Sequence, residues 1–245
     1  MSLLVLGANS LIAQAAAAKF AEAGHEIIFA GRHTEELNKL AGDFSIRYKA
    51  SCGAEHFDAL DYPSHKKFLE DVLAMTPDLN YVLIAFGYLG TQEKAQSDFN
   101  EAHKIIDTNY TGVVSICELI AAEFESRKKG NIAVISSVAG DRGRQSNYMY
   151  GSAKAALTAY LSGLRSRMFK SGVNVLTIKP GFVNTPMTYG MPLPKPLVAS
   201  PQKVGSDIYK AMVKGKSVIY TPFYWKWIMR IVKSIPEFIF KKLKI

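Results

Sequence analysis

Cysteine occurs only twice in the 245 residues, as Cys52 and Cys117. Two thiols cannot staple a small secreted scaffold, and without a CxxC pair or a Cys/His cluster the sequence offers no spaced ligand set for a metal. The histidines (His25, His33, His56, His65 and His103) are scattered and read as surface or packing residues. No uninterrupted apolar run approaches the ~20 residues of a spanning helix. The opening MSLLVLGANSLIAQ has no basic stretch ahead of its apolar run, so it does not read as a secretory signal. A reducing, cytoplasmic setting is the expectation. With 48% hydrophobic and 21% charged residues, and with no internal repeat or low-complexity linker, the chain is expected to fold as one globular domain.

Acidic residues are scarce at one end. From Lys214 onward eight basic residues face one acid, Glu237, so that stretch carries +7 of the net +9 and the rest is nearly neutral. Such a distribution argues against nucleic acid, whose binders spread charge over a recognisable motif.

Short apolar runs at 3–6, 27–30, 82–86, 132–135, 173–178 and 218–220 read as buried parallel strands, with a weaker one near 44–49 or 53–57. Helical patterns occupy 11–23, 34–41, 63–74, 98–128, 150–171 and 201–214. The alternation predicts an α/β fold, a doubly wound parallel sheet of Rossmann type in three α/β/α layers. Residues 1–221 make up that domain, and 222–245 form a separate basic tail. A proline-rich stretch from Pro186 to Pro201 interrupts the pattern and is expected to be a mobile loop beside the substrate.

The first strand runs into Gly7-Ala8-Asn9-Ser10-Leu11-Ile12-Ala13, which opens the first helix. A glycine there lets the chain turn tightly, so that a pyrophosphate can rest on the amides of the helix N-terminus; Ser10 either caps the helix or contacts phosphate. A plain strand-to-helix turn is the alternative. Further on, Ser137 ends a strand, Tyr150 follows thirteen positions later and Lys154 four beyond that. Tyr150 and Lys154 thereby share a helix face. An ammonium beside a phenol lowers the phenol's pKa from about 10, which would fit Tyr150 for acid–base work on a carbonyl or alcohol.

ISSVAG (135–140), Tyr150-Gly-Ser-Ala-Lys154 and Pro180-Gly-Phe-Val-Asn-Thr185 together resemble the short-chain dehydrogenases/reductases, over roughly residues 3–220. The resemblance implies a catalytic set of Asn109, Ser137, Tyr150 and Lys154, with Asn109 at a helix kink holding a relay water. It also implies that Asp58 and Ala59 hold adenine, and that Ala85, Phe86 and Gly87 lie beside the cofactor ribose. Pro180, Gly181, Val183 and Thr185 would line the cofactor. Two departures stand out: the family's GxxxGxG is here Gly7…Leu11…Ala13, so that Leu11 packs over the cofactor or obstructs it, and the asparagines of the NNAG run are absent. IAFGYLG (84–90), residues 136–155 and the ending IMRIVKSIPEFIFKKLKI resemble more narrowly the decaprenylphosphoryl-ribose 2-epimerase reductase subunit and its relatives. This implies a keto-sugar on a polyprenyl phosphate in cell-envelope polysaccharide synthesis, a partner flavin oxidase, and a homodimer or homotetramer.

The second strand ends Phe29-Ala30-Gly31-Arg32-His33, with no acid before Glu35. A carboxylate there would select NAD, whereas Arg32 suits a 2′-phosphate. NADP(H) is therefore favoured, with NAD(H) as the alternative that the narrower resemblance implies. In the tail, Trp227, Ile228, Ile231, Val232 and Ile235 recur at helical spacing among Lys226, Arg230 and Lys233, and Pro236 starts a second short helix. Either this is an interfacial helix on an anionic membrane, at its inner face, or the apolar stripe packs on the domain or on another subunit. Arg142 and Arg144, between Ser137 and Tyr150, either meet a substrate phosphate or face solvent. Two further functions stay open: reduction of another carbonyl, such as a 3-ketoacyl thioester or a small ketone, and non-catalytic dinucleotide binding.

Overall fold

Seven short strands form one all-parallel sheet in the order β3-β2-β1-β4-β5-β6-β7. The computed structural model describes residues 1–243. Its strands are β1 (Ser2–Leu6), β2 (Glu26–Gly31), β3 (Cys52–His56), β4 (Leu79–Ile84), β5 (Asn131–Ile135), β6 (Asn174–Pro180) and β7 (Val218–Thr221). The helices are α1 (Leu11–Glu22), α2 (Thr34–Tyr48), α3 (His65–Met75), α4 (Gln92–Ser97), α5 (Phe99–Ile106), α6 (Gly112–Arg127), α7 (Tyr148–Met168), α8 (Pro201–Val213), α9 (Trp225–Ser234) and α10 (Glu237–Phe240). β1 and β5 are buried along nearly their whole length, because parallel strands covered by helices on both faces have no wet side.

One apolar cluster gathers Leu4, Val82, Ile116, Ile120 and Leu161 on one face of the sheet. The other gathers Leu3, Val5, Phe20, Phe29, Ile178 and Ile208 on the opposite face. The strand order reverses between β1 and β4, and loops leaving the C-terminal ends of strands at such a switch point frame the ligand crevice of doubly wound sheets. Gly7 leaves β1 there, and Phe86 and Gly87 follow β4.

Several expected boundaries move. Residues 44–48 are the end of α2 rather than a strand; Phe44 is buried against Phe29 on the helical stripe of Leu37 and Ala41. The weak strand is β3. The stretch expected as one helix over 98–128 is α5 and α6 joined by a π-helical turn at Asp107–Thr111. This Phe99–Arg127 segment is long and apolar enough to cross a membrane, yet Ile105, Ile116, Ile120 and Phe124 are fully buried inside the protein. The proline-rich stretch holds two 3-10 turns, Pro186–Thr188 and Lys195–Leu197, and a parallel bridge between Val183 and Ala199.

The apolar residues expected along one stripe of the tail are divided between two faces of α9. Trp225 and Met229 are buried against Val138, with Ile228 and Val232 at the margin. Trp227 and Ile231 point outward, 54% and 66% exposed. Two fully buried side chains of this size contribute roughly 3–6 kcal/mol of apolar burial, so the tail is seated on the loop after β5. A side chain at Gly181 would put its Cβ 1.9 Å from the Trp225 ring. The bare face of Gly181 therefore receives the tail.

Candidate active site

Gly7 adopts φ +85°, and a Cβ on it would lie 2.5 Å from the Phe86 amide nitrogen. Only glycine lets the turn after β1 lie directly on the strand end of β4. The Gly7 and Ala8 amides both donate to Ala30 O, at 2.9 and 3.2 Å. Ser10 caps α1, its hydroxyl accepting from the Ala13 amide at 3.4 Å, which leaves the helix N-terminus open toward a cleft of about 430 Å³. Leu11 lines that cleft opposite Asn184, Thr185, Pro186 and Tyr189. At 39% exposure it forms a wall and leaves the cleft open.

Other residues expected around a dinucleotide sit as follows. Ala85 and Ile12 pack on the core, Val183 and Pro180 are buried, and Phe86 packs against Phe57. Asp58 turns the chain after β3, its carboxylate accepting from the Leu60 amide at 3.0 Å, next to half-buried Ala59. Arg32 is exposed and makes no hydrogen bond or ion pair with the described residues. Asn9 donates to Glu36 at 3.1 Å.

The chemistry-bearing side chains converge. α7 begins at Tyr148, so Tyr150 lies in its first turn and Lys154 one turn further. The Tyr150 hydroxyl hydrogen-bonds Ser137, whose own oxygen accepts from the Ala139 amide at 3.1 Å. Lys154 Nζ donates to Ile135 O at 3.0 Å and stands 5.7 Å from the centre of the Tyr150 ring. Asn109 is fully buried in the π-helical turn; its amide donates to Tyr88 O at 2.5 Å and to Ile105 O at 2.8 Å. A Cβ on Gly87 would sit 2.9 Å from Asn109 Oδ1 and 3.7 Å from Lys154 Nζ, so Asn109, Gly87 and Lys154 meet at one spot. Donors at a helix N-terminus, an open cleft and side-chain-free backbone at Gly7 and Gly87 fit a dinucleotide.

Burial overrides the expected acidification of the phenol. It pushes Tyr150 up to about 12, with the Ser137 hydrogen bond acting in the opposite direction, and it pulls Lys154 down to about 7. Removing both groups from water disfavours each charged form, and this outweighs their mutual effect. The Tyr150 phenol is thus held in its neutral form, and the charged form of Lys154 is disfavoured. Between pH about 7 and 10.5 the folded chain holds fewer protons on Lys154 than the unfolded chain does. Its contribution therefore makes stability rise with pH across that window and fall as pH drops back through it. Thermal unfolding followed from pH 7 to 9.5 is expected to show a steeper rise in Tm for the wild type than for Lys154→Met.

Four groups hold this site: Glu101 and Asp141, which belong to no motif, and His65 and Arg142, whose partners are distant in the chain. His65 is fully buried, bonded to Ser115 and to Asp58 O at 2.9 Å each, and it stacks on Phe57. Glu101 anchors the loop after β4, accepting from the Tyr88 hydroxyl at 2.9 Å and the Thr91 amide at 3.2 Å. Asp141 pairs with Lys179 and accepts from the Tyr220 hydroxyl at 2.7 Å, which joins the Ser137 loop to the ends of β6 and β7. Arg142 neither faces solvent nor stands free for a phosphate. It donates to Val232 O and Ile235 O at 2.7 and 2.6 Å, pairs with Glu237 at 2.9 Å and lies over the Phe240 ring. One signal was legible for Asp141 and Lys179: a lysine inside the apolar run before Pro180 requires a buried counter-charge.

A tyrosine–lysine–serine set beside a dinucleotide-type cleft on a doubly wound sheet defines an oxidoreductase. The chain belongs to the short-chain dehydrogenase family, whose model matches residues 2–193, and it is an NAD(P)-dependent enzyme of that class. It is 32% identical to an uncharacterized oxidoreductase of Mycobacterium tuberculosis over 98% of this chain and 96% of that one. It is 34% identical to another of Streptomyces coelicolor over 99% and 95%. Among solved structures, a short-chain dehydrogenase from Sphingobium yanoikuyae in complex with NADPH shares the fold with a TM-score of 0.81 at 19% identity, over 97% of each chain. An NAD+-bound xylitol dehydrogenase shares it with a TM-score of 0.76 at 17% identity, over 86% of this chain and 91% of that one.

Proposed function

We propose that the protein reduces a ketone to a secondary alcohol with NADPH, and that the ketone belongs to a keto-sugar carried on a polyprenyl phosphate. The observation that carries the reaction is Tyr150: a half-buried, protonated phenol bonded to Ser137, one helical turn from a buried lysine whose pKa is pulled down to about 7. The bound nicotinamide supplies the hydride. Ser137 and Tyr150 orient the carbonyl oxygen, and Tyr150 gives it a proton as negative charge develops there. Lys154, beside Asn109 and Gly87, restores that proton.

Arg32, exposed and unpaired at the end of β2, supports the phosphorylated cofactor, since Glu36 is engaged by Asn9. The lipid-linked substrate is supported by the outward face of the tail. Phe223, Trp227, Ile231, Phe238 and Ile239 are exposed there, beside the exposed Lys226, Arg230, Lys233, Lys241 and Lys242. Bulky apolar groups next to cations suit the interface of an anionic bilayer.

The test is dinucleotide oxidation with NADPH and NADH against a polyprenyl-phosphate keto-sugar, a 3-ketoacyl thioester and small ketones. Turnover is expected with the lipid-linked sugar, with NADPH preferred and the preference lost in Arg32→Ala. Turnover confined to the thioester or the small ketones overturns the substrate, and dinucleotide binding without any turnover overturns the enzymatic reading. Sedimentation with phosphatidylglycerol vesicles is expected for the wild type and lost when Trp227 and Ile231 are both replaced by serine; equal sedimentation removes the membrane from the proposal.

A further inference from the structure

Among the described residues, Arg144 is a cation without a counter-ion. Two positions earlier, Arg142 is saturated by backbone carbonyls and Glu237. Arg144 instead is half-buried; its Nη2 reaches only the Met229 sulfur at 3.2 Å, a weak acceptor. Its Nε is buried with no hydrogen-bond partner, and among the described residues no carboxylate forms an ion pair with it. Burial holds its pKa below the ordinary guanidinium range, and the charge opposing that effect, Asp141, is already committed to Lys179 and Tyr220. A partly desolvated guanidinium left in this way is costly unless something completes it.

Beside Arg144 lies a cavity of about 300 Å³, walled by the loop between Ser137 and Tyr150 on one side and by residues 237–243 on the other. Gln145 and Lys241 line it with Arg144, and so do Phe240 and Glu237. Glu237 is neutralised by Arg142. Among the described lining residues this leaves two cationic groups and an amide beside one carboxylate engaged by Arg142, with an apolar ring at their side. A multiply charged oxyanion matches such a wall, because guanidinium and ammonium donors form their strongest hydrogen bonds to phosphoryl oxygens.

We propose that this cavity is a phosphoryl-binding subsite formed between the Ser137–Tyr150 loop and the C-terminal helices, with Arg144 as its principal ligand and Lys241 as its second. It lies apart from the cleft lined by Leu11, Asn184, Thr185 and Tyr189. The phosphate that fills it belongs either to the substrate or to a lipid headgroup. The first source rests on the reductase reading above; the site itself does not.

Inorganic phosphate is titrated into the full-length protein by calorimetry and by thermal shift, with and without saturating NADP+, which occupies the dinucleotide's own phosphate positions. A saturable site that persists with NADP+ is expected, together with a rise in Tm. Arg144→Met should weaken it about tenfold or more, the loss expected of one charge-assisted contact, while Lys241→Gln weakens it less and Arg32→Ala leaves it unchanged. In phosphate-free buffer Arg144→Met should keep or raise Tm, since it removes an uncompensated, partly buried charge; a purely structural arginine would lower it. Geranyl phosphate binding more tightly than inorganic phosphate, and losing that affinity in Arg144→Met, assigns the site to substrate. Loss confined to sedimentation with phosphatidylglycerol vesicles assigns it to a headgroup. No phosphate binding to the wild type, or the same binding in wild type and Arg144→Met, overturns the proposal. Failure of NADP+ to bind would instead count against the reductase reading and leave the phosphate titration interpretable.

Discussion

Tyr150→Phe is expected to lower kcat by about 10³-fold or more while leaving dinucleotide affinity within about twofold, in keeping with the loss of a positioned general acid. The substitution removes one oxygen and keeps the ring, so α7 and the contacts of Met149 and Tyr150 with Ala95, Ala102 and Ile105 stay in place. What is lost is the proton that a developing alkoxide must receive, together with the hydrogen bond to Ser137. Steady-state dinucleotide oxidation measures the first quantity, and fluorescence titration of the bound cofactor measures the second. Ser137→Ala should cost less in kcat than Tyr150→Phe, since it removes an orienting group and leaves the donor. Retained turnover in Tyr150→Phe would show that another acid does the work, and Tyr148, 39% exposed at the helix start, is not placed to replace it. The elevated phenol pKa adds a sign: the reductive direction needs the phenol protonated and should persist into mildly alkaline solution, whereas the reverse oxidation needs the phenolate and should climb with pH.

The sequence made six of the seven strands legible as apolar runs: five are covered by helices on both faces, and β7 keeps the run Val218-Ile219-Tyr220 although it is only partly buried at the sheet edge. β3 was not legible in this way: its CGAEH is half-buried at the sheet edge and mixes a glycine with a glutamate and a histidine. The proposed catalytic quartet was legible only in part through spacing: Tyr150 and Lys154 lie one helical turn apart whatever surrounds them, whereas Asn109 was legible only through the family resemblance. The groups that hold that quartet were not, because their partners are distant in the chain. His65 reaches Ser115, Arg142 reaches Ile235, and Asp141 reaches Lys179 and Tyr220. The tail illustrates the same limit. Its period marks a helix with bulky apolar residues all round, yet only packing separates the Trp225–Met229 face from the Trp227–Ile231 face. The direction of the Tyr150 shift was missed for a related reason: the lysine's spacing is written in the sequence, while the depth at which both groups lie is set by the whole fold.

Asp141→Asn should destabilise the protein by about 3–5 kcal/mol, the cost of leaving one member of a buried ion pair without its partner. For a chain of this size that corresponds to a fall in Tm of roughly 10 °C. Asp141 and Lys179 are 2% and 9% exposed at their side chains, so water cannot replace the lost charge, and asparagine offers Lys179 one neutral acceptor. Tyr220 is affected too: burial and the Asp141 carboxylate hold its phenol well above the ordinary value, and it donates to that carboxylate. The damage falls on function as well as stability, because Asp141 follows the Val138–Gly140 turn after Ser137 while Lys179 directly precedes Pro180 and Gly181. A shared buried pair therefore sets the distance between the loop bearing Ser137 and the turn on which Trp225 is seated. Replacing both members with apolar residues of similar size, Asp141→Leu with Lys179→Met, should recover most of the lost Tm, since neither charge is then stranded. Activity should recover less, because the apolar pair no longer fixes that distance through a directional bond. Chemical denaturation of the two single variants and the double variant measures the coupling. An Asp141→Asn protein within about 0.5 kcal/mol of wild type would mean that the Ser137 loop is held by α9 and Arg142 alone.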